Sequence, residues 1–298
     1  MIINGVTIDE TFAEAFDMKA TRVLITALNH RWARNAADAM TGFATSVIGC
    51  GVEAGIENKL SARETPDGRP GVSVLMFGMS GKDLSKQLEK RVGQCVLTSP
   101  TSAIFAGMHG DETINLGRNL RFFGDGYQIS KLIDRRRYWR IPVMDGEFVA
   151  EESTAYCNAI GGGNFLVLAE SQEQALTACE AAIDVMQRIP NVIMPFPGGV
   201  VRSGSKVGSR YKALPASTNQ AFCPTLKGIT QSQLSDDIES VMEIVINGLT
   251  DDDISKAMCL GIDAVCKLGA KNGIKRVSAG NYGGKLGKFH FHLQEIMA

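Results

Sequence analysis

One segment of this chain is written twice. Gly78-Met79-Ser80-Gly81-Lys82-Asp83-Leu84-Ser85-Lys86-Gln87-Leu88 aligns with Gly248-Leu249-Thr250-Asp251-Asp252-Asp253-Ile254-Ser255-Lys256-Ala257-Met258 at a constant offset of 170 residues. Both copies place a hydroxyl residue three positions before an Asp, a capping box with Asp in place of the usual Glu. An apolar stripe at helical spacing follows each cap: Leu84, Leu88, Val92, Cys95 and Val96 in the first copy, and Ile254, Met258, Ile262, Val265 and Cys266 in the second. Such spacing lines one face of an amphipathic helix. An apolar run that reads as a strand precedes each helix, Val72 to Phe77 and Val241 to Asn247.

A second pair of signals repeats with them. Asn4-Gly5 lies between Ile2-Ile3 and Val6-Thr7-Ile8, and Asp145-Gly146 lies between Val143-Met144 and Glu147-Phe148-Val149. Asn-Gly and Asp-Gly between β-prone runs predict two-residue hairpins in which both turn residues take positive φ. Further strands are expected at Arg22 to Thr26 and Asn164 to Ala169, then helices over Asn29 to Met40 and Gln172 to Gln187. In the second of these helices Leu176, Cys179, Ile183 and Met186 make the apolar face, and Ser171 with Gln174 makes the cap. The fold class this predicts is α+β, two similar ferredoxin-like (split β-α-β) lobes from an internal duplication. The expected domains are 1–144 and 145–298, the second carrying the ligand loops. The boundary falls near Ile141-Pro142, after a basic run, Arg135-Arg136-Arg137, that reads as a solvated surface or interdomain loop.

Charge and cysteine usage remove whole classes of function. The 31 Lys and Arg nearly balance 32 Asp and Glu, so no basic excess suits nucleic acid, and 44% hydrophobic residues are too many for a disordered chain. The seven cysteines are odd in number and contain no C-x-x-C pair, which argues against a disulfide framework and a structural zinc site. No stretch approaches the roughly 20 apolar residues of a membrane span, and the N-terminus has neither the basic flank nor the apolar core of a signal peptide. The reading is a cytoplasmic protein with no membrane partner.

The chemistry concentrates in the second half. Three loops rich in Gly and hydroxyl residues stand out: Pro195 to Ser209, Leu214 to Asn219 and Ser278 to Gly287. Bare backbone amides and short polar side chains suit an anion or a polar ligand held close to the chain. No P-loop and no strand-linked G-x-G-x-x-G followed by a helix occurs, so a nucleotide fold is not supported. His290 and His292 form an H-x-H pair that lacks a third and fourth metal ligand, and His30 and His109 stand alone. At the offset of 170 residues, Ser73 of the first half faces Glu243 of the second. Strand alternation by itself places Glu243 on a solvent face; a buried carboxylate there would hold its proton near neutral pH.

Longer, irregular motifs carry a resemblance that runs from end to end. They include Glu64-Thr65-Pro66-Asp67-Gly68-Arg69-Pro70-Gly71-Val72, Phe122-Phe123-Gly124-Asp125-Gly126-Tyr127-Gln128, Pro195-Phe196-Pro197-Gly198-Gly199, Leu214-Pro215-Ala216-Ser217-Thr218-Asn219 and Glu243-Ile244-Val245-Ile246-Asn247-Gly248-Leu249. With these the chain closely resembles the formylmethanofuran–tetrahydromethanopterin N-formyltransferase family. The resemblance implies reversible transfer of a formyl group between formylmethanofuran and N5 of tetrahydromethanopterin or tetrahydrosarcinapterin, in archaeal one-carbon metabolism. It implies methanofuran and tetrahydromethanopterin as coenzyme substrates with no prosthetic group and no metal, and a homo-oligomer, dimer or tetramer.

The family's catalytic carboxylate falls on Glu243, against the solvent-facing expectation from alternation, and would act as the acid for a tetrahedral intermediate. Substrate contacts are expected from Pro197, Gly198, Gly199, Ser205, Lys206, Ser209, Arg210, Ser217, Thr218, Asn219, Asn247, Asn281 and Lys285, the cations meeting anionic tails. Two other readings stand beside this one: a subunit of a formyltransferase–hydrolase complex, and a ligand-sensing module without chemistry.

Overall fold

The computed structural model describes residues 1–203 and 219–298. In chain order the principal elements are β1 (Ile2–Ile3), β2 (Val6–Ile8), β3 (Phe12–Thr26), α1 (His30–Thr41), β4 (Val52–Leu60), β5 (Gly71–Gly78), α2 (Gly81–Arg91), β6 (Ala103–Ala106), β7 (Ile129–Ile133), β8 (Arg136–Val143), β9 (Gly146–Glu151), β10 (Ser153–Ala169), α3 (Gln172–Met186), β11 (Ser240–Gly248), α4 (Asp251–Leu268), β12 (Ile274–Ser278) and β13 (Phe289–His292). The chain is a mixture of α and β structure. By contact it divides into Asp17–Ala159 and a unit made of Met1–Phe16 with Ile160–Ala298. The dividing points fall inside β3 and β10, both longer than expected at 15 and 17 residues.

In the unit Asp17–Ala159, β5 pairs antiparallel with β3 from Lys19↔Gly78 to Thr26↔Gly71, and on its other side with β4. Alternation sends Val23, Ile25, Val72, Val74 and Met76 to one face, where Leu84 and Leu88 of α2 and Ala36, Ala37 and Met40 of α1 cover them. Each fully buried Leu or Ile contributes about 1.5–3 kcal/mol, so the expected stripe carries much of this packing. Val92 and Val96 stay on the buried side because the chain widens after α2, Leu97 N–H donating to Val92 O at 2.9 Å, five residues back. That wider turn leaves Cys95 only partly covered.

The second hairpin differs from expectation by one residue. Val143 pairs with Gly146, so the turn is Met144-Asp145, and only Gly146, at φ 128°, has a positive φ. Asp145 is held otherwise, its carboxylate accepting the Thr101 N–H at 2.6 Å. The basic run is no loose linker either. Asp134 and Arg135 form the tight turn between β7 and β8, both with positive φ, and Arg136 and Arg137 begin β8 within 3.9 and 3.7 Å of Glu151 and Glu152.

In the other unit the Asn4-Gly5 turn is as expected, φ 49° and 79° between the paired Ile3 and Val6. β10 lies between β11 and β12, and β12 pairs in parallel with β2. Phe165, Val167, Ile244 and Ile246 meet α3 and α4 on one face. All five expected α4 positions are buried, and Thr250 with Asp253 closes the capping box in both directions. For α3 the expected face is rotated: Leu176 is 43% exposed, while Ala175, Ala178 and Ala182 join Cys179 and Met186 inside. Small residues there let α3 and α4 approach closely, and a Cβ on Gly261 of α4 would come within 2.5 Å of the Met186 sulfur.

Candidate active site

β11 turns Ile244 and Ile246 toward the helices, so Val241, Glu243, Val245 and Asn247 share the opposite face. That face is not open to solvent. Val241 packs there with Leu166, Leu168, Ile238, Phe222 and Leu234, a small apolar cluster supplied by β10 and the segment 222–238. Glu243 stands directly across from Leu166 at the edge of this cluster and is partly buried. Burial pushes its carboxyl above the ordinary range, and one hydroxyl, Ser203 Oγ donating to Oε2 at 3.0 Å, pulls the other way. Alternation alone misreads the position because it assumes a one-layer sheet, whereas here a returning segment covers the second face.

The Phe196-Pro197-Gly198-Gly199 turn brings Ser203 to the acid. Gly198 and Gly199 take φ of 64° and 81°, which L side chains adopt only with strain, and Gly199 N–H donates to Phe196 O at 2.8 Å. A Cβ on Gly199 would also run into the Ile183 side chain of α3. Leaving this turn, Val201 pairs with Glu243 through two backbone bonds, N–H to O at 2.8 and 2.9 Å. Ser203, two residues on, points to the same side as Val201 and lies diagonal to Glu243. The acid, this hydroxyl, Arg202, Asn219, Phe222 and Cys223 line one small cleft. Asn219 turns its carbonyl to Phe222 N–H at 2.9 Å and the Cys223 thiol at 3.3 Å.

Of the expected contact residues, Asn219 lines the cleft with Glu243, and Pro197, Gly198 and Gly199 form the turn behind it. Asn247 shares the face but is fully buried about 13 Å along the strand, its Oδ1 accepting Gly162 N–H at 3.1 Å beside a bulge in β10. Asn281 ties its own loop down, donating to Thr11 Oγ1 and Phe12 O and accepting from Gly283 N–H. Lys285 is exposed. Ser205, Lys206, Ser209, Arg210, Ser217 and Thr218 lie outside the described residues.

The glycine-rich loop 280–287 departs most from expectation. Four of its amides, Tyr282, Gly284, Leu286 and Gly287, already have an anion: each donates to the Glu14 carboxylate, at 2.6 to 2.9 Å. Glu14 is only 1% exposed. Burial would raise its carboxyl, and the four donors outweigh burial and bring it down to about 2. The sequence signal for this residue is an acid flanked by alanines, Ala13-Glu14-Ala15, in a buried strand. Ser203 and Cys223 were equally unselected by sequence, because only strand register places them near Glu243.

Position 73, the counterpart of Glu243, is occupied quite differently. Ser73 sits between Leu24 and Asn58, as Glu243 sits between Leu166 and Val201. Its Oγ accepts Asn58 N–H and donates to Glu57 Oε2, both at 3.1 Å. Glu57 in turn holds Arg22 in a two-pronged pair at 2.7 Å on each prong. Among the described residues no group of three or more His, Cys, Asp or Glu is arranged to hold a metal ion; His290 and His292 pack against the Phe12 ring. No helix among those residues is long and apolar enough to cross a membrane.

Comparison with known proteins joins these features. Residues 1–143 match the family model described as formylmethanofuran-tetrahydromethanopterin formyltransferase, and residues 146–296 match the one described as FTR, proximal lobe. The formylmethanofuran–tetrahydromethanopterin formyltransferase of Methylococcus capsulatus is 74% identical over 298 residues, covering 100% of both chains. Among solved structures, a chain of the formyltransferase/hydrolase complex from Methylorubrum extorquens, in complex with methylofuran, superposes with a TM-score of 0.96 at 50% identity, covering 100% of this chain and 99% of that one. The Methanosarcina barkeri formyltransferase superposes with a TM-score of 0.92 at 49% identity, covering 99% and 100%. With both halves matched and the whole length shared, the chain belongs to the formylmethanofuran–tetrahydromethanopterin formyltransferase family.

Proposed function

We propose that this formyltransferase moves a formyl group between formylmethanofuran and N5 of a tetrahydromethanopterin, with Glu243 as the acid. One observation carries the assignment. Glu243 is a partly buried carboxyl at an apolar edge, with a single neutral donor and, among the described residues, no cation paired to it. That environment keeps a proton on the group. Attack of the pterin nitrogen on the formamide carbonyl gives a tetrahedral oxyanion, and a positioned acid stabilises that charge and supplies the proton for the departing amine. Aligning two large substrates adds an effect that can reach roughly 7–11 kcal/mol. The remaining expected contacts, with Lys206, Arg210 and Lys285 meeting anionic tails, belong to the same proposal, as does the archaeal type of one-carbon metabolism.

Two ferredoxin-like lobes from a duplication, 1–144 and 145–298, go with this reading. Support comes from the paired caps at Ser80 and Thr250 and from two family models that meet between residues 143 and 146. A cytoplasmic homodimer or homotetramer is the assembly we propose. The neighbour from Methylorubrum extorquens, a chain of a formyltransferase/hydrolase complex, favours a second assembly in which this chain is one subunit among others. Purification at native expression levels separates them, since co-eluting unrelated chains support the complex and a self-sufficient oligomer supports the first.

The test of the acid is Glu243→Gln, which keeps shape and removes the proton. Formyl transfer between the two purified coenzymes, followed spectroscopically, should fall by about 100-fold or more. Turnover within a few-fold of the parent would overturn the assignment.

A further inference from the structure

The hydroxyl beside the acid has geometry that simple packing does not require. Val201 is locked opposite Glu243 by two backbone bonds, so the strand register fixes the Ser203 side chain diagonally across from the carboxyl. Its Oγ reaches Oε2 at 3.0 Å, and no second bond to the other oxygen, Oε1, is found among the described residues. We propose that Ser203 is a positioning residue for formyl transfer: it occupies Oε2, so that the transferable proton of Glu243 sits on Oε1, facing the cleft. This inference rests on Glu243 being the acid.

The other groups facing Glu243 leave the role to Ser203. From the opposing strand comes Leu166, from the returning segment Phe222 and Cys223, and from the same turn Arg202, which is exposed and makes no ion pair with the acid among the described residues. The Cys223 thiol is engaged with the Asn219 carbonyl. A carboxyl with one fixed acceptor oxygen is preorganised, and it loses no orientation when charge develops on the substrate. Donation by Ser203 also favours the ionised form, so the hydroxyl lowers the pH at which the acid gives up its proton.

The experiment measures formyl transfer against pH for the full chain and for Ser203→Ala, Ser203→Thr and Glu243→Gln, with KM determined for both coenzymes. Activity needs protonated Glu243 and so declines on the alkaline side. Without the hydroxyl the carboxylate loses a stabilising donor, and the alkaline limb of Ser203→Ala should move up by about one pH unit. Its kcat at the plateau should fall about tenfold, with both KM values unchanged, and Ser203→Thr should restore the limb and the rate. If Ser203→Ala does not fold, Ser203→Cys keeps the volume with a weaker donor and should displace the limb in the same direction. An unmoved limb together with an inactive Glu243→Gln would overturn the role of Ser203 and leave the acid standing. A raised KM with unchanged kcat and profile would also overturn it, making Ser203 a substrate contact. Full activity of Glu243→Gln would instead remove the acid itself.

Discussion

Glu243 and Ser73 occupy the same place in two strands of one design, each facing a leucine on one side, yet one pairing holds a lone acid and the other a neutralised one. At Ser73 the neighbouring carboxylate, Glu57, is bound twice by Arg22 and once by the serine hydroxyl. At Glu243 the partners reduce to one hydroxyl and apolar surface. The difference separates two uses of a buried charge. A paired carboxylate fixes strands in register and has little left to offer a substrate. A carboxyl without a cation is worse for stability and better for proton transfer, the trade-off expected where a site is tuned for function.

The contrast can be attacked from the neutralised side first. Removing Arg22 strands Glu57, which is 8% exposed, and breaking such a pair costs about 3–5 kcal/mol. Arg22→Met should therefore lose that much in urea unfolding, and Arg22→Met with Glu57→Leu should recover most of it. A loss below about 1 kcal/mol would mean that the pair is not the strand lock described above.

Glu14 is the next test, a buried carboxylate balanced by amides instead of a cation. Glu14→Gln keeps the shape and removes the charge that four N–H groups share, with an expected loss of about 2–3 kcal/mol. Its folded carboxyl titrates near 2 and the model value is 4.5, so the stabilisation is complete above about pH 4.5 and is lost as pH falls toward 2. The parent should show this acid-side decline and Glu14→Gln should lack that component; identical pH profiles would refute the cage. The smallest effect belongs to Ser73→Ala, which removes one donor to Glu57 and one acceptor for Asn58 and should cost about 1 kcal/mol. An effect as large as that of Arg22→Met would shift the weight of the lock from the guanidinium to the serine.

How much of this could be read from sequence depends on the range of the forces involved. Caps and stripes are local, so the α4 face, the Ser80 and Thr250 caps and the Asn4-Gly5 turn were all legible. The Met144-Asp145 turn was not, because a distant amide, Thr101 N–H, captures the side chain that would have set the turn type. Leu176 was misplaced because alanines carry little hydrophobic signal and yet pack best where two helices approach closely. The long strands β3 and β10 were read only in part, since Gly161-Gly162-Gly163 breaks the alternation where β10 bulges. Glu243 was legible only through the resemblance; alternation pointed outward because the segment covering it joins from elsewhere in the chain. Glu14 and Ser203 needed pairing partners far away in sequence.

One unit contains both ends of the chain, Met1–Phe16 and Ile160–Ala298, and this has a consequence for the order of events during synthesis. Asp17–Ala159 holds its own strands and helices and is complete in sequence when the ribosome is little more than halfway. The first 16 residues are made before it and have to wait. β2 finds its parallel partner only when Arg276 and Val277 appear, and Glu14 meets its four amides only when Tyr282 to Gly287 emerge. For nearly the whole of translation an acid destined for burial is a solvated one on an idle strand. Such distant pairings are slow to close, and the last few residues made settle the first few.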